Sequence, residues 1–326
     1  MTRSPSIAVV IAAFNSQVTI AKAIASALAQ PEVAEVIVVD DASTDATVSV
    51  ARTAGRDDHR VRVLVQNANQ GPAAARNRAI AESDAPLLAV LDADDQFLPG
   101  RFAAILETEN WDLCSDNIVF VRNESELKDY SELDAKPLAS GMLNLETFVA
   151  GNLPARHKQR GELGFLKPVI RRAMLKQFDL RYAPTCRLGE DYLLYLAALA
   201  HGARFRIVSS CGYAGLVRND SLSGRHGIED LEALLAQERL LLRGLALTDG
   251  QRSAVKQHIR STRRRLVHRQ ALRARRERGL WQGFLNAARH PSVFADILAD
   301  RIRPMDEGGL TPRKLLTPVD FDRYTR

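Results

Sequence analysis

Over the first hundred residues, short apolar runs alternate with longer stretches of mixed polarity. Residues 6–13 (S-I-A-V-V-I-A-A) and 35–40 (E-V-I-V-V-D) are rich in β-branched side chains and read as strands covered on both faces. Residues 61–65 and 87–91 repeat the pattern. Between them lie helical stretches. Thr19 stands where an N-cap belongs, ahead of a stripe of Ile20, Ile24, Ala27 and Leu28. Ser43, Thr44 and Asp45 mark the start of a second helix running to Ala54. Gly71-Pro72 opens a third over residues 73–81, with proline where its missing N–H does no harm. The order β-α-β-α-β-α-β with short connections predicts a mostly parallel α/β sheet with helices on both faces.

Parallel strands share a C-terminal rim, and open α/β sheets bind ligands there. Two of these strands end in acids: Asp40 and Asp41 after the second, and Asp92, Asp94 and Asp95 after the fourth. Three carboxylates within four residues repel one another unless a cation lies among them, and a hard divalent ion shared with phosphates is one solution. An acidic surface turn closed by Pro99 is the plain alternative. Two acidic clusters on one rim favour the ion. The first loop reads A-A-F-N-S-Q, and neither G-x-G-x-x-G nor G-x-x-x-x-G-K-[ST] occurs. Rossmann dinucleotide binding and P-loop hydrolysis therefore lose their signatures.

The pattern changes further along. Residues 111–122 predict another strand, and residues 123–165 are polar and irregular, of a length that is often functional. In R-L-G-E-D-Y-L-L-Y-L-A-A-L (187–199), Tyr192, Tyr195, Leu196 and Leu199 form a helical stripe. Asp191 there is either an N-cap or a reactive carboxylate, with Glu190 beside it. Residues 231–247 are leucine-rich, and residues 251–278 carry eleven Lys/Arg against one acid. The latter have a narrow apolar face of Val255, Ile259, Leu266 and Val267. Such a helix lies on an anionic membrane surface or packs on the α/β domain by that face, and both readings are open. With few aromatics and no recognised module, nucleic acid is a poor fit. Residues 304–326 read as a loosely attached extension.

Charge supports this division. Residues 1–225 hold 25 Lys/Arg against 27 Asp/Glu, whereas residues 226–326 hold 20 against 12, so the net +6 belongs to the second region. Cys114, Cys186 and Cys211 are too few and too widely spaced for a disulfide framework or a zinc site. A reducing, cytoplasmic setting is expected. The apolar start lacks a cleavage signature, and no run approaches the roughly 20 residues of a membrane span.

V-V-I-A-A-F-N (9–15), V-V-D-D-A-S-T-D (38–45), N-Q-G-P-A-A-A-R-N-R-A-I (69–80) and L-D-A-D-D-x-x-x-P (91–99) together resemble a family 2, GT-A-fold glycosyltransferase. The likeness is strong over residues 5–105 and looser over 162–225. In detail it points to succinoglycan-type exopolysaccharide glucosyltransferases of rhizobia. It implies a GT-A catalytic domain over 1–225, divided into a nucleotide-sugar half (1–105) and an acceptor half (106–225). A basic helical region (226–303) and an extended tail (304–326) follow.

By that resemblance Ala12 and Phe14 match the loop touching the nucleotide base, and Asp41 the acid that accepts from uracil. Asp92 and Asp94 match the D-x-D, with Asp94 the metal ligand and Asp92 or Asp95 nearer the ribose or sugar. Arg76 matches a basic residue near the donor, and an exposed helix residue is its plain alternative. Asp191, with Glu190, matches the general base, which must take the proton of a high-pKa acceptor hydroxyl. One base without a second nucleophilic carboxylate implies single displacement with inversion. Arg218 is placed to reach a phosphate, and His226 reads as a surface residue. The expected function is transfer of glucose from UDP-glucose, with Mg²⁺ or Mn²⁺, to a lipid-linked oligosaccharide in exopolysaccharide synthesis. Two other classes stay in view. A metal-dependent nucleotidyltransferase would want a basic Gly-rich first loop, and a non-catalytic scaffold of the same fold would have no need of the acids.

Overall fold

The computed structural model describes residues 6–127, 140–153, 163–217, 227–278 and 313–316. The expected alternation is present in β1 (Ile7–Ala13), α1 (Ile20–Leu28), β2 (Val33–Asp40), α2 (Thr47–Ala54), β3 (Val61–Val65), α3 (Pro72–Ala81) and β4 (Leu87–Val90). Strands β3, β2, β1 and β4 are neighbours in that order and all parallel. Burial on both faces explains their continuous apolar composition: Ile7 to Ile11 are 0% exposed.

The sheet then changes character. β5 (Gln96–Phe97), α4 (Arg101–Leu106) and β6 (Leu113–Val121) are followed by β7 (Ser140–Leu143) and α5 (Leu145–Gly151). Next come β8 (Val169–Arg171), α6 (Arg172–Gln177), α7 (Glu190–Ala200) and β9 (Phe205–Leu216). The order continues from β4 to β8, β6, β9 and β5, with β8 antiparallel to both β4 and β6. Because both flank β8 in the opposite sense, β6 runs with β4, and β9 runs with β6. The fold is thus α/β, mostly parallel, with helices on both faces. The stretch 123–165, irregular by sequence, contains β7 and α5, the latter capped by Asn144, which accepts from Thr147 N–H.

Two capping expectations are corrected. Thr19 makes no side-chain cap; its hydroxyl turns back to the Ser16 carbonyl. The second helix begins at Thr47, and Asp45 bonds the Thr47 N–H and hydroxyl. Asp45 also takes part in a loop–loop network, in which Gln17 N–H donates to Asp45, Ser16 N–H to Thr47 and Thr44 N–H to Asn15.

Two helices complete the described chain, α8 (Ile228–Gly244) and α9 (Asp249–Arg278). α9 packs against α8 and α5. Its narrow apolar face is the buried one: Val255, Leu266 and Val267 are covered. Lys256, Arg260, Arg263, Arg264, Arg275 and Arg276 are exposed. From the expected extension, β10 (Arg313–Lys314) pairs antiparallel with Phe120 and Val119, and Leu315 and Leu316 enter the core. All three cysteines are buried, and none is joined in a disulfide. No helix among the described residues is long and apolar enough to cross a membrane.

Candidate functional site

Asp92 lies two residues past β4, Lys167 lies two residues ahead of β8, and Arg76 projects from α3; Glu190 and Asp191 open α7. Register explains the meeting. Ala89 pairs with Val169, which sets Lys167 level with Leu91 at the parallel rim. There the Lys167 ammonium bridges Asp191 at 2.7 Å and Asp92 at 2.9 Å. Arg76 spans Asp92 at 2.7 Å, Glu190 at 2.9 Å and Asp191 at 3.2 Å. Two cations thus face three carboxylates. The cations are almost wholly covered, whereas the Asp92 side chain is 32% exposed, so the cluster opens outward through its acids.

The electrostatics follow. Burial disfavours the Lys167 ammonium, but Asp191 and Asp92 outweigh it and push the group above its ordinary range. Arg76 is shifted the same way, with Asp191, Asp92 and Glu190 outweighing burial. Burial alone would raise Asp92; Lys167 and Arg76 reverse that and hold its carboxyl well below the usual range. Glu190 is raised, because burial exceeds the help from Arg76 and Asp191 adds repulsion.

Asp191 is not an N-cap. α7 starts from Gly189, at φ +74°, with no side-chain cap, and the Asp191 carboxylate serves Lys167 and Arg76 instead. Arg76 is buried, which rules out its alternative as an exposed helix residue.

The remaining predicted residues divide. Asp95 points away from the cluster. It accepts from the Tyr213 hydroxyl at 2.7 Å and from Leu216 N–H at 2.9 Å, and burial with the nearby Asp92 and Asp94 pushes its carboxyl well up. Asp94 stands half-buried between them. Asp41 is buried and holds the loop before α3, accepting from Gln66, Gln70 N–H and Gly71 N–H. That fills three of the roughly four acceptor directions of a carboxylate. Gly71 lies at φ +90°, which lets its N–H turn back to Asp41 while Pro72 starts the helix. Beside it, Asp40 accepts from Ser43 N–H, and its Oδ1 is buried with no partner. On the same rim Ala12 is half-buried and Phe14 is 41% exposed. Arg218 and His226 lie outside the described residues.

A divalent ion fits this donor set in one way. Both Asp92 oxygens are engaged by cations, and Asp95 is turned to Tyr213. Among the described residues no three His, Cys, Asp or Glu side chains are grouped to hold an ion by themselves. One carboxylate at the rim, Asp94, suits an ion that arrives with a diphosphate and keeps phosphate and water ligands, as Mg²⁺ does.

Lys167 was not foreseen. It sits in F-L-K-P-V-I (165–170), where a lone lysine before a strand carries no local signal. Only the β4–β8 pairing brings it between Asp92 and Asp191.

Comparison with known proteins shows the family and the fold. The family model described as Glycosyl transferase family 2 matches residues 8–147. The chain is 46% identical over 305 residues to the succinoglycan biosynthesis protein ExoU of Rhizobium meliloti, covering 91% of this chain and 89% of that protein. It is 26% identical to the Escherichia coli UDP-Glc:alpha-D-GlcNAc-diphosphoundecaprenol beta-1,3-glucosyltransferase WfgD, over 59% of this chain and 69% of that one. Among solved structures, Staphylococcus aureus TarS 1-349 in complex with UDP-GlcNAc superposes with a TM-score of 0.59 at 18% identity. The match covers 83% of this chain and 74% of that one, and it shows the GT-A fold.

Proposed function

The chain belongs to glycosyltransferase family 2, and from that premise we propose that it transfers glucose from UDP-glucose to a lipid-linked oligosaccharide, with inversion. The observation that carries this reading is the single cluster joining Asp92, at the D-A-D, to Asp191 through Lys167 and Arg76. Donor and acceptor chemistry thereby meet at one point. Family membership sets the class as glycosyl transfer, in place of nucleotidyl transfer or a scaffold.

In this reading Phe14 and Ala12 line the base, and Asp41 shapes the loop behind it. Arg76 and Lys167 offer positive charge to the diphosphate, whose two negative charges compete with Asp92 and Asp191 for the same ammonium and guanidinium. Asp191 accepts the proton of the acceptor hydroxyl as that oxygen attacks the anomeric carbon, and Glu190 keeps Arg76 in place. Asp94 would hold Mg²⁺ or Mn²⁺, which when bound stabilises the charge growing on the departing diphosphate. With Asp191 as the one base, a single displacement inverts the anomeric centre. The names of ExoU and WfgD support an exopolysaccharide setting and a UDP-glucose donor with a lipid-linked acceptor. The exposed cations of α9 suit contact with the anionic cytoplasmic face of a membrane, where such an acceptor resides.

Calorimetric titration with UDP, GDP, dTDP and UDP-glucose, with and without Mn²⁺, tests the donor site. Binding of UDP and UDP-glucose that depends on Mn²⁺, and loses that dependence in Asp94→Ala, is expected. No nucleotide binding under any metal condition overturns the reading.

A further inference from the structure

An aromatic pair next to the ion cluster has no part in the mechanism above. Phe165 ends a 3₁₀ turn, Leu163–Phe165, two residues before Lys167. It is 37% exposed, whereas Leu163 and Leu166 on either side are 0% exposed. The turn is tied down at several points. Gly164 N–H donates to Asn152 at 2.8 Å, Asn152 in turn donates to the Phe148 carbonyl, and the Tyr195 hydroxyl donates to the Leu166 carbonyl at 3.0 Å. A turn anchored on both sides thus displays one large apolar ring toward solvent.

Its neighbour is Phe120, edge-to-face at 6.4 Å between centroids. Phe120 pairs in register with Gly215 of β9, and a Cβ at Gly215 would come within 2.9 Å of the ring, so the glycine gives the ring its place. The Arg313 guanidinium lies 4.7 Å above the Phe120 ring. Arg313 is brought there by β10, which is fastened independently. Asn117 donates to the Leu316 carbonyl and accepts from its N–H, and Leu315 N–H donates to Ile118. Three separately anchored segments therefore converge on one spot.

The spot lies in line with the transfer cluster. Cys114 pairs with Val169, which sets Asp116 level with Lys167, and Phe120 stands four positions further out along β6, on the order of 10 Å beyond the rim. From this placement we propose that Phe165, Phe120 and Arg313 form an acceptor subsite that stacks a pyranose ring of the acceptor glycan. A β-gluco ring presents axial C–H groups on its face and hydroxyls around its rim. The exposed phenyl ring meets the first and the planar guanidinium the second. One displayed ring backed by a guanidinium is too small and too polar a surface for a lipid chain. The proposal rests on the glycosyl-transfer reading and names the substrate class of its acceptor side.

Saturation-transfer NMR with cellobiose as the probe tests it, together with UDP calorimetry in Mn²⁺. The wild-type protein is expected to saturate H-1, H-3 and H-5 on one sugar face, Phe165→Ala to lose the signal at least about threefold, and Phe165→Trp to keep it. Gly215→Val, which displaces the Phe120 ring, should lower it as well. Thermal melts of each variant check the fold, which the exposure of Phe165 predicts to be unchanged for Phe165→Ala. Absence of transfer in the wild type, or an undiminished signal in Phe165→Ala, overturns the subsite. Loss of UDP binding with sugar transfer intact would instead overturn the donor reading.

Discussion

Among the described residues, two buried ionic clusters share Lys167 and differ in charge balance and in access to solvent. In the first, Arg101 faces Asp116, both side chains 0% exposed, with the guanidinium bonded to both carboxylate oxygens. Asp116 also accepts from Gly212 N–H, and Arg101 donates to the Lys167 carbonyl and lies against Phe97 and Tyr213. One cation meets one anion, and the pair is sealed. In the second, two cations meet three carboxylates, and Asp92 and Glu190 reach solvent. The balanced pair fixes the sheet between α4, β6 and β9. The unbalanced one carries more negative than positive groups, and its surplus faces solvent through Asp92. Lys167 serves both, its carbonyl locked in the first and its ammonium placed in the second.

The comparison breaks most sharply at Asp191. Asp191→Asn should reduce turnover by about 10²–10⁴-fold, the usual worth of a general base, with UDP affinity close to wild type. Steady-state kinetics paired with calorimetry would show it. Near wild-type turnover would return the unbalanced cluster to a structural role.

Next in size is the sealed pair. Arg101→Met leaves a carboxylate buried without a counter-ion, and should cost about 3–5 kcal/mol in urea unfolding. Arg101→Met with Asp116→Leu should recover much of that loss, because an apolar pair leaves no charge uncompensated. Failure of the double variant to recover would mean that the backbone bonds to Gly212 and Lys167, and not the ion pair, carry the stability.

Lys167→Met should have the smallest effect on stability, about 1–3 kcal/mol, since Arg76 still pairs with both carboxylates it leaves and Asp92 reaches water. The ammonium is pushed above its ordinary range, so what it contributes is fully present below the unfolded pKa and is lost only as pH rises through the folded one. Over the range from about pH 6 to about pH 9 the loss in Lys167→Met should therefore be constant. A loss that shrinks toward the upper end would mean that Lys167 is already neutral there.

Much of this was legible along the chain. The parallel half follows from local causes: apolar runs of strand length, Gly71-Pro72 at a helix start, and acids ending two strands. Period and turn chemistry act over a few residues, so β1 to β4 and the rim carrying Asp92 could be read directly. The E-D pair that opens α7 was likewise visible as a candidate, although the Asp191 carboxylate proved not to cap the helix. Cap residues were the least legible: Thr19 bonds the Ser16 carbonyl in place of a helix N–H, and Asp45 is shared between Thr47 and the Gln17 N–H of a loop that only the packed chain brings near.

What the sequence by itself determined is the alternation, the rim and its acids, since each depends on residues close together. Tertiary structure alone decided that β8 runs antiparallel beside β4, and so where Lys167 stands. It also decided that Arg76 is buried among carboxylates, and that residues 313–316 return to Phe120 from the far end of the chain. Those placements rest on strand register and long-range charge pairing, in which the partner of a residue is selected by the fold and leaves no mark in its neighbours along the chain.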